Sequence, residues 1–309
     1  MDVWQLQQLQ SLSLDSQVAR TERKIAEWLM HWNGAVYLAW SGGRDSTVLR
    51  HIIRQRWGDS IPSVFCDTGL EFPSVRKAVT DARDRGENVV LLKPKLTFKE
   101  TLEKYGYPVV SKRVAHQVHE LRHTKSEGLR TLRLTGLHPR SGKTHPAGKV
   151  PKKWLYLREA PFEVSATCCD VMKKRPATQY EKKTGRKRID GVMTCESFQR
   201  QQKWVQNEGC NAFKTKRPHS SPMSTWMEHH VREYASLHSI ELPAVYSMGY
   251  DRTGCMFCMF GVHMEKGENR FQRMYRTHPK QWAYCMDKLG LREVLAYINV
   301  PCEPSKETA

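Results

Sequence analysis

The stretch that most constrains this chain runs from residue 35 to residue 53. An apolar run (35–40) stops at Ser-Gly-Gly and gives way to a helix-like pattern, with apolar residues at Val48, Leu49, Ile52 and Ile53. This order predicts a buried strand, a tight glycine turn and the first turns of a helix. A strand that leads directly into a helix favours an α/β fold with a parallel sheet.

The turn carries groups that suit a phosphate, and they are Ser41, Gly42, Gly43, Arg44, Asp45 and Ser46. The glycines let the backbone take positive φ and approach a ligand, and the helix start directs its positive dipole end to the same place. The serine hydroxyls can donate hydrogen bonds, and the guanidinium can pair with an anion. The glycine spacing excludes a Walker loop. The alternative is an ordinary turn before a helix that Asp45 caps.

These six residues resemble the Ser-Gly-Gly-Lys-Asp-Ser pyrophosphate loop of the ATP pyrophosphatase superfamily, with Arg44 in place of the usual lysine. The resemblance implies an adenine nucleotide alpha hydrolase-like fold. Such a fold is a Rossmann-like, doubly wound parallel sheet, here with N-terminal helices and a C-terminal helical region. The resemblance also implies that residues 41–46 bind the nucleotide and that Arg44, Asp45 and Ser46 act in catalysis.

A second strand, over residues 62–69, ends in Asp-Thr-Gly. Ligands of doubly wound sheets bind outside the carboxyl ends of the strands, so Asp67 and Thr68 are expected near the first loop as nucleotide-binding residues. A simple turn is the alternative. Together with Glu-Phe-Pro (71–73), the segment resembles the Asp-Thr-Gly-x-x-Phe-Pro segment of phosphoadenosine phosphosulfate (PAPS) reductases. Residues 88–92 predict a third strand.

The length and composition fit a folded protein of one large or two modest domains, with 309 residues, 39% hydrophobic and 27% charged. We divide the chain into an N-terminal helical segment (1–33), a nucleotide-binding domain (34–215) with a basic loop (137–155), and a C-terminal helical region (216–309) that closes the cysteine group. No apolar run has membrane-spanning length, and the N-terminus lacks a secretory layout. We therefore expect a cytoplasmic protein that has no contact with a membrane.

The formal charge of +18 favours anionic partners. Basic residues crowd residues 112–153, which predicts a groove for DNA or RNA, with Trp154 and Tyr156 available for stacking. The alternative is a solvated charged face. The histidines of this segment lack a compact metal spacing and are expected to be structural or anion-facing; they are His116, His119, His123, His138 and His145.

Four of the nine cysteines form two pairs, and these are Cys168, Cys169, Cys255 and Cys258. A Cys-Cys and Cys-x-x-Cys arrangement suits either zinc or an iron–sulfur cluster, and buried free thiols are the alternative. Adjacent cysteines are unusual for structural zinc, whose ligands are normally spaced by two to four residues. Of the other five, Cys66, Cys210 and Cys285 are expected to be small buried residues. Cys302 is an incidental tail cysteine, and Cys195 is predicted to lie near the nucleotide.

The cysteine pattern resembles the tetracysteine [4Fe–4S] signature of adenosine 5′-phosphosulfate (APS) reductases, which implies that these four cysteines hold a cluster. Residues 191–200 resemble the reductase segment Gly-Leu-Arg-Arg-Glu-Gln-Ser-x-x-Arg at Gly191, Ser197 and Arg200. The resemblance assigns nucleotide binding to Gly191 and Ser197 and catalysis to Arg200. It extends over residues 35–261.

Two departures argue against sulfonucleotide reduction. The arginine pair that helps reductases hold the phosphosulfate is Met193-Thr194 here, which removes bidentate oxyanion binding. The tail also lacks the catalytic Glu-Cys-Gly-Leu-His of the reductases. An ATP-type loop combined with a reductase-type cysteine set resembles DndC-type DNA phosphorothioation proteins, and still more the PAPS-reductase-like proteins of phages and CRISPR-bearing elements.

We therefore expect an enzyme that binds ATP or a related adenine nucleotide, carries a [4Fe–4S] cluster and, with Mg²⁺, cleaves ATP to an adenylate and pyrophosphate. The context would be sulfur transfer or nucleic-acid modification and defence, with a sulfur donor or redox partner. One alternative is a thioredoxin-dependent reductase that converts PAPS or APS to sulfite. Another is a non-catalytic accessory protein that binds nucleic acid.

Overall fold

A computed structural model describes residues 2–304 of the chain. The helices are α1 (Val3–Gln10), α2 (Leu14–His31), α3 (Arg44–Trp57), α4 (Pro73–Asp84), α5 (Phe98–Tyr105), α6 (Lys112–His123), α7 (Glu127–Thr135), α8 (Arg175–Thr184), α9 (Phe198–Gln206), α10 (Glu228–Leu237), α11 (Arg270–Thr277), α12 (Pro279–Ala283) and α13 (Leu291–Tyr297). The strands are β1 (Val36–Ala39), β2 (Ser63–Cys66), β3 (Val89–Leu92), β4 (Val109–Val110), β5 (Lys187–Ile189), β6 (Asn211–Ala212), β7 (His219–Ser220) and β8 (Met259–Phe260). None of the described helices is both long and apolar enough to span a bilayer.

Six strands form one sheet in the order β3-β2-β1-β5-β7-β6. Neighbouring strands are parallel except for β6 and β7. The chain adds β2 and β3 on one side of β1 and later adds β5 on the other side, so the direction of winding reverses between β1 and β5. Helices cover both faces of the sheet. These features confirm the predicted α/β, doubly wound, mainly parallel fold, and β1 to β3 are the three strands predicted from the sequence.

The chain separates into two compact units, and each unit is built from several segments. Unit 1 comprises the residues up to 67, then 71–93 and 176–253, and it contains the six-stranded sheet. Unit 2 comprises residues 68–70, 94–175 and those from 254 onward, and in it β4 pairs in parallel with β8. The three-part division expected from the sequence stays a prediction.

The predicted N-terminal helices form in unit 1, and α2 is the larger of them. It begins after Ser13, whose side chain accepts the N–H of Ser16 as an N-cap. Its apolar face buries Ile25 and Trp28 completely. Burial of a tryptophan removes a large apolar area from water, so this face contributes several kcal/mol, on the order of 3–5 for the tryptophan, to the stability of unit 1.

The same helix also buries two polar side chains, and both have partners in the segment that precedes α10. Gln17 donates to the carbonyl of Thr225 at 3.1 Å and accepts from the hydroxyl of that residue at 2.8 Å. The indole N–H of Trp226 donates to Thr21 Oγ1 at 2.8 Å. Because buried polar groups are costly when unpaired, these bonds fix where α2 docks.

Thr21→Val should therefore destabilise unit 1, because it leaves the buried indole N–H of Trp226 without an acceptor. The expected loss in the free energy of unfolding is about 1–3 kcal/mol. Denaturant unfolding followed by tryptophan fluorescence measures it. The control is Thr184→Val at an exposed position, where a change within about 0.5 kcal/mol is expected. Equal losses in the two variants would contradict this account.

Candidate functional site

The loop between β1 and α3 is held closed by its own serines. The Ser46 hydroxyl donates to the Gly43 carbonyl at 3.0 Å and lies 2.9 Å from the Ser41 hydroxyl. It also accepts the N–H of Ser41 at 3.2 Å. Ser46 is buried, so its position is set by the loop itself. The hydroxyls of Ser41 and Ser46 were expected to face an anion. In the structure they form hydrogen bonds within the turn and hold its shape.

Gly42 occupies a position where no side chain fits. Its φ is +71°, and a Cβ there would lie 2.7 Å from Val75 Cγ1 and 3.3 Å from Val79 Cγ2, both on α4. Gly43 has ordinary φ, but its Cβ would lie 2.5 Å from Thr253 Oγ1. The two glycines therefore let the loop pack against its neighbours, and Gly43 leaves the N-terminus of α3 without a side-chain cap. First-turn N–H groups of a helix lack intrahelical acceptors, so such an end attracts anions.

Gly191 lies against this loop. It follows β5, and a Cβ on it would lie 3.2 Å from the Ser46 nitrogen and 3.3 Å from the Asp45 carbonyl oxygen. The structure thus brings together Gly191 and residues 41–46, which are about 150 positions apart in the chain. They meet at the carboxyl ends of β1 and β5, where the sheet reverses its winding and ligands of such folds bind.

Asp67 directly follows β2, the neighbouring strand of the same sheet. It is buried, and Arg76 donates to its Oδ2 at 2.9 Å. Thr68 is assigned to unit 2, and its hydroxyl accepts the N–H of Leu70 at 3.2 Å. Asp67 and Thr68 were both predicted to lie near the first loop. Asp67 lies at the expected edge of the sheet in unit 1, whereas Thr68 belongs to unit 2.

Asp45 has an unsatisfied acceptor at the mouth of the loop. Its Oδ1 is buried and has no hydrogen-bond partner among the described residues, and the nearest cationic nitrogen, Arg44 Nε, is 3.7 Å away. Burial raises the pKa of this carboxyl, Glu196 and Glu228 raise it further, and Arg44 lowers it. Two neighbouring carboxylates act on this orphaned oxygen in addition to Arg44, so a bound cation would be favoured here.

Arg44, expected to pair with an anion, has partners of its own. Its Nη2 lies 3.0 Å from Glu228 Oε1, and its guanidinium lies 5.4 Å from the centre of the Tyr246 ring. Its backbone N–H donates to the Tyr246 hydroxyl at 2.7 Å, and that hydroxyl lies 3.2 Å from Thr253 Oγ1. Glu228, Tyr246 and Thr253 were not foreseen from the sequence, because no local motif marks a contact about 200 residues away.

Residues 191–200 form a packed turn before α9. Ser197 is the N-cap of α9, and Arg200 donates to the Met193 carbonyl at 3.3 Å and pairs with Glu196. Met193 and Thr194 are buried, and the Thr194 hydroxyl donates to the Ser224 carbonyl at 2.6 Å. These two positions, where the resemblance places an arginine pair, therefore serve packing.

Cys195 lies among the acidic groups of the loop. Burial raises the pKa of its thiol, and the carboxylates of Glu196, Asp45 and Glu228 raise it further. A thiol with a raised pKa stays protonated at neutral pH and is a poor nucleophile.

The four paired cysteines all lie in unit 2, where they form one electrostatic group. The pKa of Cys168 is raised by the hydrogen bond to Cys169, by burial and by the charges of Cys169, Cys258 and Cys255. That of Cys169 is lowered to about 6 by the hydrogen bond from Cys168 and by Lys112 and Lys173. These effects favour a proton on Cys168 and negative charge on Cys169, which lies next to the two lysines.

Further positive charge lies next to these sulfurs. Arg270 adds positive charge by donating to the Cys258 carbonyl at 3.1 Å.

The basic segment 112–153 does not provide the expected stacking pair. Trp154 is only 9% exposed and packs edge-on to His263, so its prediction as a stacking platform is wrong, whereas Tyr156 is 39% exposed. The tryptophan packs in the apolar core of unit 2, because burial of its large apolar ring is more favourable than exposure to water. Arg122 and Arg133 pair with Glu163 and Glu120.

Gly42→Ala should destabilise unit 1 more than Gly185→Ala does. Both glycines have φ of +71°, but a Cβ at Gly185 has nothing within 4 Å. The matched pair therefore isolates the overlap with Val75, and the expected difference in the free energy of unfolding is about 1–3 kcal/mol. Denaturant unfolding measures it. Indistinguishable values for the two variants would show that the loop does not depend on close contact with α4.

Three comparisons with known proteins bear on this site. A family model of the phosphoadenosine phosphosulfate reductase domain matches residues 35–138 and 139–260. Two uncharacterized proteins of Methanocaldococcus jannaschii, MJ0066 and MJ0973, are each 25% identical to the chain, over 251 and 276 residues. These matches cover 80% and 88% of this chain but only 40% and 52% of the relatives, so the chain spans about half the length of the curated proteins it matches.

A solved structure, the crystal structure of PAPS reductase from Candida auris in a phosphate complex, matches 82% of this chain and 96% of that one. The sequence identity is 14% and the TM-score 0.45. The family model covers well over half of the chain, including the loop, Gly191 and all four paired cysteines. The chain therefore belongs to the phosphoadenosine phosphosulfate reductase domain family.

Proposed function

We propose that this protein binds ATP or a closely related adenine nucleotide at residues 41–46 and cleaves it between the α- and β-phosphates. The observation that carries the proposal is the close contact of Gly191 with the loop at the point where the sheet reverses. A glycine-lined turn, a helix N-terminus and a switch point coincide there, and each of them favours a phosphate ligand.

Asp45 supports a role for Mg²⁺ in this reaction. Mg²⁺ is held by one or two carboxylates together with substrate phosphates, and the buried Oδ1 of Asp45 has no hydrogen-bond partner among the described residues. A cation there would also offset the charges of Glu196 and Glu228 that raise the pKa of Asp45. Asp45 would thus hold the metal, and Ser46 would keep the loop in shape.

In the proposed reaction an oxygen or sulfur atom of an acceptor attacks the α-phosphorus. The bond from that phosphorus to the bridging oxygen breaks, pyrophosphate leaves with the electron pair, and the acceptor gives up its proton to solvent. The protein contributes positioning and charge stabilisation through the loop N–H groups. Ser197 and Arg200 would support this site by fixing the turn at residues 191–197.

Two residues favour ATP cleavage over the reductase alternative. Met193 and Thr194 are buried, and the hydroxyl of Thr194 is used by the Ser224 carbonyl. They offer no cation to the sulfate end of PAPS or APS. Thioredoxin-dependent reduction of these substrates to sulfite is therefore the less favoured activity. The same proposal includes the context of the reaction, which would be sulfur transfer or nucleic-acid modification and defence.

We further propose that Cys168, Cys169, Cys255 and Cys258 hold a [4Fe–4S] cluster. The adjacent pair Cys168-Cys169, which is unusual for structural zinc, and the lysines next to Cys169 support a cluster rather than zinc. A bound cluster would supply electron transfer or an iron site for sulfur chemistry. The chain's own part is to hold four thiolates, with Lys112 and Lys173 offsetting their charge.

Purified protein should release pyrophosphate from ATP in the presence of Mg²⁺, with AMP or an adenylate as the other product. Asp45→Asn should lower the rate at least tenfold, because it removes a carboxylate from the metal, while Ser60→Ala at an exposed serine should leave it unchanged. A coupled pyrophosphate assay and nucleotide chromatography, with and without DNA or RNA, measure both.

Two results would overturn this function. Thioredoxin-dependent formation of sulfite from PAPS or APS without ATP turnover would establish the reductase instead. Salt-dependent binding of nucleic acid without ATP cleavage, unaffected by Asp45→Asn, would establish the accessory protein.

Cys169→Ser should abolish iron binding in anaerobically purified protein, because it removes one of four thiolates. Cys302→Ser should retain the wild-type iron content and brown absorbance, since that cysteine lies outside the group. Iron and zinc analysis gives the outcome. One zinc per chain and no iron in the wild type would refute the cluster.

A further inference from the structure

A second group of metal-binding side chains lies in unit 2, apart from the four cysteines. It consists of His119, His123 and Glu163, whose nearest ligand atoms all lie within 4.8 Å of one another. The spacing of the histidines alone predicted structural or anion-facing roles for them. The structure adds a carboxylate from 40 residues further along the chain.

The two histidines stand one turn apart on α6. Their ring centroids are 4.5 Å apart, so both rings point to the same side of the helix. Glu163 Oε2 lies 2.9 Å from His123 Nε2. A helical pair of imidazoles spaced by four residues, with a carboxylate facing it, is an arrangement that binds Zn²⁺.

Glu163 is held in place by contacts on both its main chain and its side chain. Its carbonyl accepts the N–H of Tyr107 at 2.7 Å. Gly106, with φ of +96°, lets the chain pass so close to that carbonyl that a Cβ would overlap it. Arg122 donates to Glu163 Oε1 at 3.1 Å and to the Phe162 carbonyl at 2.7 Å. The carboxylate therefore presents Oε2 to the histidines, as ligands oriented by a second layer of hydrogen bonds do.

The imidazole of His119 is half-buried. Its Nδ1 is buried and has no hydrogen-bond partner among the described residues. An unpaired imidazole nitrogen next to a fixed carboxylate is costly unless something binds it.

We propose that His119, His123 and Glu163 bind one Zn²⁺ ion, or a similar divalent transition metal. Imidazole and carboxylate ligands suit such metals, and three protein ligands leave a fourth position for water or an anion. The ion would join α6 to the segment 160–165, which leads directly to Cys168. The site does not depend on the proposed ATP cleavage.

Titration of the full-length protein with Co²⁺ and Zn²⁺ tests the site, after its cysteines are loaded with iron. Wild-type protein should show the visible bands of four-coordinate Co²⁺ without new thiolate-to-cobalt charge transfer. Zn²⁺ should displace the Co²⁺ and raise the thermal midpoint. His119→Ala and His123→Ala should bind Zn²⁺ at least about tenfold more weakly. Glu163→Gln, which keeps the shape of the side chain, should do the same.

The matched control is His116→Ala, an exposed histidine on the same helix that pairs with Glu120. It should retain the Co²⁺ bands and the wild-type affinity, and circular dichroism establishes that each variant is folded. Equal Zn²⁺ affinity in wild type, His119→Ala, His123→Ala and Glu163→Gln would overturn the proposal. So would Co²⁺ spectra that show thiolate charge transfer alone, since the metal would then occupy the cysteines.

Discussion

The loop after β1 depends on the absence of two β-carbons. At Gly42 the missing atom lets Val75 of α4 approach, and at Gly191 it lets the chain after β5 approach the start of α3. Together they bring α4 and the chain after β5 into contact with one short turn. Close packing of this kind tolerates no added methyl group without movement of its neighbours. The position of the candidate phosphate site is therefore a consequence of packing as much as of ligand chemistry.

The local part of this arrangement could be predicted from the sequence. An apolar run, two glycines and an amphipathic pattern determine β1, the turn and α3, because each signal acts within a few residues. The partners of the loop could not, because Glu228 and Tyr246 reach Arg44 only through the tertiary fold. The nucleotide-binding role of Gly191 was predicted from the family resemblance alone, and no local pattern indicated it.

Errors arose where composition was taken as a guide to exposure. Trp154 directly follows the basic stretch 112–153, yet its indole is buried in unit 2. The basic residues before it do not determine its own exposure. The spacing of the histidines in the same stretch did not reveal the carboxylate next to them, because Glu163 lies outside the stretch. In both cases a local pattern was incomplete without a contact from elsewhere in the chain. The two cysteine pairs are visible in the sequence without a model of the fold, and the metal that they would hold stays a prediction.

The interleaving of the two units has a consequence for how this protein is made. The sheet of unit 1 needs β5 and β7, but residues 94–175 of unit 2 are synthesised before either strand. Unit 2 in turn waits for β8 to pair with β4. As the chain emerges from the ribosome, β1 to β3 and the first half of unit 2 must therefore persist with unpaired edges and exposed apolar surface. Such nascent intermediates are prone to aggregation, so its yield in cells should depend on chaperones and on the rate of translation.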